Sequence, residues 1–210
     1  MNFDAPIVVR KSWKKNAEWY AIDSPPATCV RLALQSLLPE KPDLVISGIN
    51  RGENTGIVTF YSATVACARE AAFAGIPSIA FSLEHSQNMD YSDAAAFASS
   101  LIKELKGRGF SKDSYLNVNY PALPLEKVKG VAIVRQDLRQ ALDYYEKRTN
   151  PQGLLYFWPC YDLLDAGSER TDIWALKNGF ISVTPMSIDQ TGQPALEELE
   201  FLKKLARKSR

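Results

Sequence analysis

The sequence predicts an α/β fold on a mostly parallel sheet with flanking helices, and three observations carry that prediction. Helical and extended signals alternate from Ala21 to Leu83 in the order helix, strand, loop, helix, strand, as in a parallel sheet with crossover helices. Leu44-Val45-Ile46 is a short uninterrupted apolar run, which fits a central parallel strand covered on both faces. Residues 62–74 are rich in alanine and lack glycine and proline, so they suit the helix that returns the chain to the next strand.

The elements follow in chain order. Ser24 is placed to cap a helix that opens with Pro25 and Pro26 and carries Ala27, Val30, Leu34, Leu37 and Leu38 at helical spacing. Pro42 closes it. After the strand at Leu44-Val45-Ile46, a polar loop runs from Ser47 to Gly56. Gly75 ends the 62–74 helix, and Ser78-Ile79-Ala80-Phe81 reads as the next strand. A helix from near Ser92, with Phe97, Leu101, Ile102 and Leu105 on one side, ends at Gly107 or Gly109. Tyr115-Leu116-Asn117-Val118-Asn119 alternates before Pro121, as a strand with one polar face does.

From residue 122 to 170 the pattern loosens into short extended pieces, Val131-Ala132-Ile133-Val134 and Leu154-Leu155-Tyr156-Phe157-Trp158, which read as a hairpin-like lobe set against the main sheet. Thr171 caps a short helix ending at Gly179, and Phe180-Ile181-Ser182-Val183-Thr184 is a strand stopped by Pro185. The last helix begins near Pro194, with Glu197, Glu198 and Glu200 early and Lys203, Lys204, Arg207 and Lys208 late, the arrangement a helix dipole favours. Residues 1–210 are thus expected to form a single domain. Residues 1–121 and 171–188 give the main sheet and helices, 122–170 the lobe and 189–210 the C-terminal helix.

Composition narrows the function. The 25 basic and 24 acidic side chains nearly cancel, so overall charge gives no support to a nucleic-acid or membrane partner. With 46% hydrophobic and 23% charged residues in 210, the chain has the makeup of a folded, water-soluble protein with a core. No apolar run approaches the roughly 18 residues that cross a bilayer. Met1-Asn2-Phe3-Asp4 lacks the basic and apolar stretches of a signal peptide, and a cytoplasmic location is expected. Cys29, Cys67 and Cys160 are odd in number and far apart, which excludes a disulfide scaffold or a Cys-x-x-Cys motif. The single histidine, His85, excludes metal sites built from histidine pairs and leaves little for a Ser-His-Asp triad. It reads as a surface loop residue or as a loop acid or base near a pocket.

Ligands of open parallel sheets sit beyond the carboxyl ends of the strands, and the 47–56 loop lies there. Its three glycines permit close backbone approach, while Ser47, Asn50, Asn54 and Thr55 supply small polar groups. The helix behind it opens at Tyr61-Ser62-Ala63-Thr64, where unpaired N–H groups and the positive dipole end suit a phosphate. The same residues are also ordinary turn chemistry, so the residues alone leave both a phosphate cradle and a plain turn open.

The block from Asp43 to Gly56 (Asp-Leu-Val-Ile-Ser-Gly-Ile-Asn-Arg-Gly-Glu-Asn-Thr-Gly), then Tyr61-Ser62-Ala63-Thr64-Val65 and Arg69-Glu70-Ala71-Ala72-Phe73-Ala74-Gly75-Ile76-Pro77-Ser78-Ile79-Ala80, closely resembles the SurE survival-protein family. Asp23-Ser24-Pro25-Pro26-Ala27-Thr28-Cys29-Val30, Asn117-Val118-Asn119-Tyr120-Pro121 and Thr171-Asp172-Ile173-Trp174-Ala175 extend the likeness, which covers about residues 6 to 188. The resemblance implies a Rossmann-like sheet and metal-dependent hydrolysis of phosphate monoesters, chiefly nucleoside 5′- and 3′-monophosphates, with magnesium or manganese. It implies that Asn50 is a metal ligand and that Ser62, Ala63 and Thr64 hold phosphate, with alanine at 63 where the family has glycine; Asn54 joins them as a polar group of the loop. It also implies a dimer or tetramer, with Leu154 to Trp158 and residues 194–208 as contact candidates.

Family members resembling this chain begin with a strand ending in Asn-Asp-Asp-Gly, whose aspartates bind the metal, followed by a loop serine that completes the site. These 210 residues open where the family is already past both, at Ala5-Pro6-Ile7-Val8-Val9-Arg10. The expectation is therefore a SurE-like fold without its first strand, with Asn50 as the one family metal ligand and no catalytic residue identifiable. Two functions follow from the resemblance: a phosphomonoesterase, or a non-catalytic relative that binds phosphate compounds or assembles with a partner.

Overall fold

A computed structural model describes residues 5–106, 113–139, 143–161 and 167–207. The chain opens with an antiparallel hairpin of β1 (Val9–Lys14) and β2 (Ala17–Ile22). Its turn places Lys15 and Asn16 at φ of 48° and 60°, the left-handed pair of a tight hairpin turn. The main sheet holds β3 (Val45–Arg51), β4 (Ser78–Leu83), β5 (Ser114–Tyr120), β6 (Val131–Ile133) and β9 (Ile181–Ser187), in the order β3-β4-β5-β9-β6. Every neighbouring pair is parallel except β5 with β9. A second hairpin, β7 (Asp143–Thr149) with β8 (Leu155–Tyr161), stands apart.

Helix α1 (Pro26–Leu32) continues as a π turn over Ala33–Leu37. Helix α2 (Ala63–Phe73) covers one face of the sheet through Val65, Ala68 and Ala72, which pack with Ala80 and Tyr115. Helix α3 (Ser92–Leu105) covers the other, setting Ala94 and Ala98 against Ile79, Phe81, Leu83, Val118 and Tyr120. All six residues of β4 are buried, as expected of a parallel strand sandwiched between helices. Small α2 side chains let that helix lie close to the sheet. Two short helices, α4 (Asp172–Lys177) and α5 (Gln193–Glu198), complete the description.

The fold departs from the sequence reading at several points. The apolar run expected in the sheet centre leads into β3, an edge strand among the described residues, and Ile46 is 46% exposed. That strand also runs on through Ser47 to Arg51, polar residues read as loop, with a break in its pairing to β4 between Ser47 and Asn50. Ser24 does not cap α1: Pro25 occupies the cap position, and the Ser24 hydroxyl is buried without a partner. Strand β6, expected in the appended lobe, pairs with β9 and belongs to the sheet. Pro185 does not end β9, because it lies beyond the last β6 partner pair, Ile133 with Val183, and still aligns with Leu116 of β5; a strand tolerates a residue without N–H where it has one neighbour. The C-terminal segment is α5 followed by 3-10 winding over Leu199–Arg207 rather than one helix from Pro194. Gly107 and Gly109 lie outside the described residues.

Candidate functional site

The strand registers align Asn50 with Ser82, Ser82 with Asn119, and Asn119 with Ser182. Because side chains alternate along a strand, this row puts one polar group from each of β3, β4, β5 and β9 on the α2 side, at the carboxyl ends of the parallel strands. The break in β3 makes the row possible. Gly48 there has φ of +116°, and a Cβ on it would stand 2.2 Å from the Phe81 carbonyl oxygen, so only glycine lets β3 pass this close to β4.

Asn50 is held at four points. Its Nδ2 donates to the carbonyls of Arg51 (3.1 Å) and Gly52 (2.7 Å), which fixes the amide so that Oδ1 faces β4. Oδ1 then accepts from the Ser82 hydroxyl at 2.8 Å and from Asn54 Nδ2 at 2.9 Å, while Asn54 Nδ2 also donates to Ser82 Oγ at 2.7 Å. The three side chains form a closed triangle. Asn54 is 6% exposed and is clamped by its backbone as well. Its N–H donates to Asn119 Oδ1 at 2.7 Å, and its carbonyl accepts from Asn117 Nδ2 (2.7 Å) and Asn119 Nδ2 (3.3 Å). The polar face read on β5 is therefore turned inward to hold the loop. Among the described residues, Asn54 Oδ1 takes no hydrogen bond, which leaves it available to a ligand.

From Asn54 the chain passes through a 3-10 turn over Gly56–Phe60 to α2. Asp172, fully buried at the start of α4, latches this turn: its Oδ2 accepts the Gly56 N–H at 2.8 Å and its Oδ1 accepts those of Asp137 and Ile173 at 2.9 Å. Burial pushes the Asp172 carboxyl above the usual carboxylate range, against the pull of the three N–H donors. Gln136 Nε2 adds bonds to the Gly56 carbonyl (2.8 Å) and Thr59 Oγ1 (2.7 Å).

Ser62 is the N-cap of α2, its Oγ accepting the Val65 N–H at 3.2 Å. Ala63 is the first helical residue and is not among the positive-φ positions, so alanine replaces glycine there without the left-handed penalty. The structure thus joins Asn50 and Asn54 directly and keeps Ser62, Ala63 and Thr64 at the next helix start. Among the described residues no hydrogen bond links the two groups. Ser82, Asn119 and Asp172 were not singled out as site residues in the sequence; strand register and a long-range contact reveal them.

His85 follows β4, is exposed, and places Nε2 3.0 Å from Arg51 Nη2, while its backbone N–H donates to Glu53 at 3.2 Å. Neighbouring Glu84 accepts the Ala122 N–H at 2.9 Å. Burial holds its carboxyl above the usual range, the Glu53 carboxylate adding to this and Lys177 opposing it.

These residues do not by themselves make a site for a hard divalent ion. Among the described residues there is no group of three or more histidine, cysteine, aspartate or glutamate side chains able to hold one. Asn50 Oδ1 already accepts two hydrogen bonds, and a lone neutral oxygen does not hold magnesium against water.

A mostly parallel α/β sheet with an amide-lined cradle at its carboxyl edge, followed by a capped helix, defines a Rossmann-like protein of the kind that binds small ligands at that edge. A family model described as Survival protein SurE matches residues 1–143. The 5′-nucleotidase SurE of Fervidobacterium nodosum is 42% identical over 187 residues, which span 87% of this chain and 72% of that protein. The 5′-nucleotidase SurE of Heliobacterium modesticaldum is 42% identical over 182 residues, spanning 86% of this chain and 66% of that protein. The crystal structure of the SurE protein from Aquifex aeolicus superposes with a TM-score of 0.85 at 35% identity, covering 97% of this chain and 82% of that one. The chain belongs to the SurE family.

Proposed function

We propose that the protein is a phosphomonoesterase that hydrolyses nucleoside 5′-monophosphates, and 3′-monophosphates as well, to nucleoside and phosphate. The carrying observation is the 42% identity to relatives named 5′-nucleotidase SurE, and the site chemistry supports it. In this reading the N–H groups at Ala63 and Thr64 and the Ser62 and Thr64 hydroxyls bind the phosphate, aided by the dipole of an 11-residue helix. Fixed donors of this kind stabilise charge that builds on phosphoryl oxygens during transfer. Asn54 offers its free Oδ1 to the same ligand, and Ser82 and Asn119 hold it in place.

Dependence on magnesium or manganese belongs to the proposal, with Asn50 as one ligand. Asn50 Oδ1, which accepts from Ser82 and Asn54, would exchange one of these donors for the cation. A homo-oligomer, dimer or tetramer, is proposed on the apolar surface of the β7–β8 hairpin. There Leu154, Leu155, Tyr156, Phe157 and Trp158, consecutive in sequence, are each 39% exposed or more, the kind of exposed apolar run that marks a contact surface; residues 194–208 are the second contact candidate, residue 208 lying outside the described residues. No helix among the described residues is long and apolar enough to cross a membrane, and a cytoplasmic location is proposed.

A second reading is a non-catalytic protein that binds phosphate compounds; among the described residues no carboxylate cluster stands beside Asn50. Phosphate release from adenosine monophosphate, measured on the full chain with manganese and with a chelator, separates the two. Chelator-sensitive release supports the enzyme, nucleotide binding without release supports the second reading, and neither overturns both.

A further inference from the structure

We infer that a groove beside α2, distinct from the cradle, is a second anion site built for a phosphate group. Its cavity of about 470 Å³ is lined by Thr59 and Phe60 of the turn before α2, Arg69 of α2, Tyr115 of β5, Arg135 and Gln136 after β6, and the outer half of β9 with the residues that follow it. Among the described residues neither arginine makes an ion pair; Arg69 meets the Tyr115 hydroxyl. The floor is Thr184, 1% exposed, whose hydroxyl has no hydrogen-bond partner. Asn117, its register partner on β5, likewise has an unpartnered Oδ1.

Two guanidinium groups wall this cavity. Guanidinium forks match phosphate oxygens and keep their charge at any working pH. Asp189 is the one carboxylate among the lining residues, and its Oδ1 accepts the Thr191 N–H at 2.8 Å, so the lining keeps a net positive charge. Arg69 lies seven residues along α2 from Ser62, about 10 Å at 1.5 Å per residue. None of Asn50, Asn54, Ser62, Ala63 and Thr64 is among the residues that line the groove.

The test is calorimetric titration of inorganic phosphate into the full chain. The wild type, an R69Q/R135Q variant and an S62A/T64A variant are compared, each checked for a native thermal transition. The groove predicts two phosphate-binding events in the wild type: R69Q/R135Q weakens one of them at least tenfold, S62A/T64A weakens the other and leaves the first in place, and R69K/R135K recovers part of the R69Q/R135Q loss. Adenosine, without a phosphate, should not compete. Wild-type affinity in R69Q/R135Q, loss of all binding in S62A/T64A, or competition by adenosine would overturn the groove. Unchanged binding and turnover of adenosine monophosphate in S62A/T64A would instead count against the cradle, leaving the groove standing.

Discussion

Ser82 donates its hydroxyl proton to Asn50 Oδ1 at 2.8 Å across two neighbouring parallel strands, and both side chains share Asn54 Nδ2 as a donor. The bond ties the tip of β3 to the buried strand β4, so the position of the candidate ligand amide is set by the sheet rather than by the loop.

Replacing Ser82 with alanine should therefore act on both stability and site. Ser82 is 1% exposed, and removing its hydroxyl strands a buried amide proton and halves the donors to Asn50. A loss of about 1–3 kcal/mol is expected, read as a lower denaturant midpoint, with the Asn50 side-chain amide resonance shifted and broadened. A variant as stable as the wild type, with that resonance unmoved, would show that the triangle holds nothing in place.

Asp172→Asn places an NH₂ group where three backbone N–H donors converge on two carboxylate oxygens. At least one donor then faces another donor in a fully buried site, and the fold should lose about 2–3 kcal/mol. Hydrogen exchange should rise at Gly56 and Asp137 before it rises in β4. Uniform protection across the three sites would mean the latch is not local.

Strand order and pairing explain how much of this was legible beforehand. Helices α2 and α3 and the strands β4 and β5 stand close to where periodicity put them, because their apolar faces repeat at helical or alternate spacing. The 42% identity and the SurE family model agree with the resemblance read from the 43–56 block. Three features escaped. The exposed hairpin β1–β2 turns on Lys15 and Asn16 rather than on Asn-Gly, and β3 looks central because Leu44-Val45-Ile46 is apolar although Ile46 is half exposed. Ser82 and Asp172 act through partners 32 and 116 residues away, a distance local patterns do not encode.

Glu84 supplies a pH signature. Its folded-state carboxyl sits above the usual value of about 4.5, through burial first and the Glu53 charge after it. A raised carboxyl favours the fold fully below the unfolded value, and that contribution is lost as pH rises through the folded value. Glu84→Gln keeps an acceptor for the Ala122 N–H and does not titrate. The wild type should thus lose stability relative to the variant as pH is raised from below 4.5 towards neutral, in paired thermal melts. A stability gap constant over that range, or one moving the other way, would contradict the burial argument.

In the proposed function the amide triangle and the start of α2 together receive a phosphate monoester. A crystal structure of the full chain with adenosine monophosphate and manganese tests it most directly. Phosphate oxygens are expected within hydrogen-bond distance of the Ala63 and Thr64 N–H groups, with Asn54 Oδ1 or Asn50 facing the same ligand. A nucleotide bound elsewhere, with the triangle and the helix start both untouched, would contradict it.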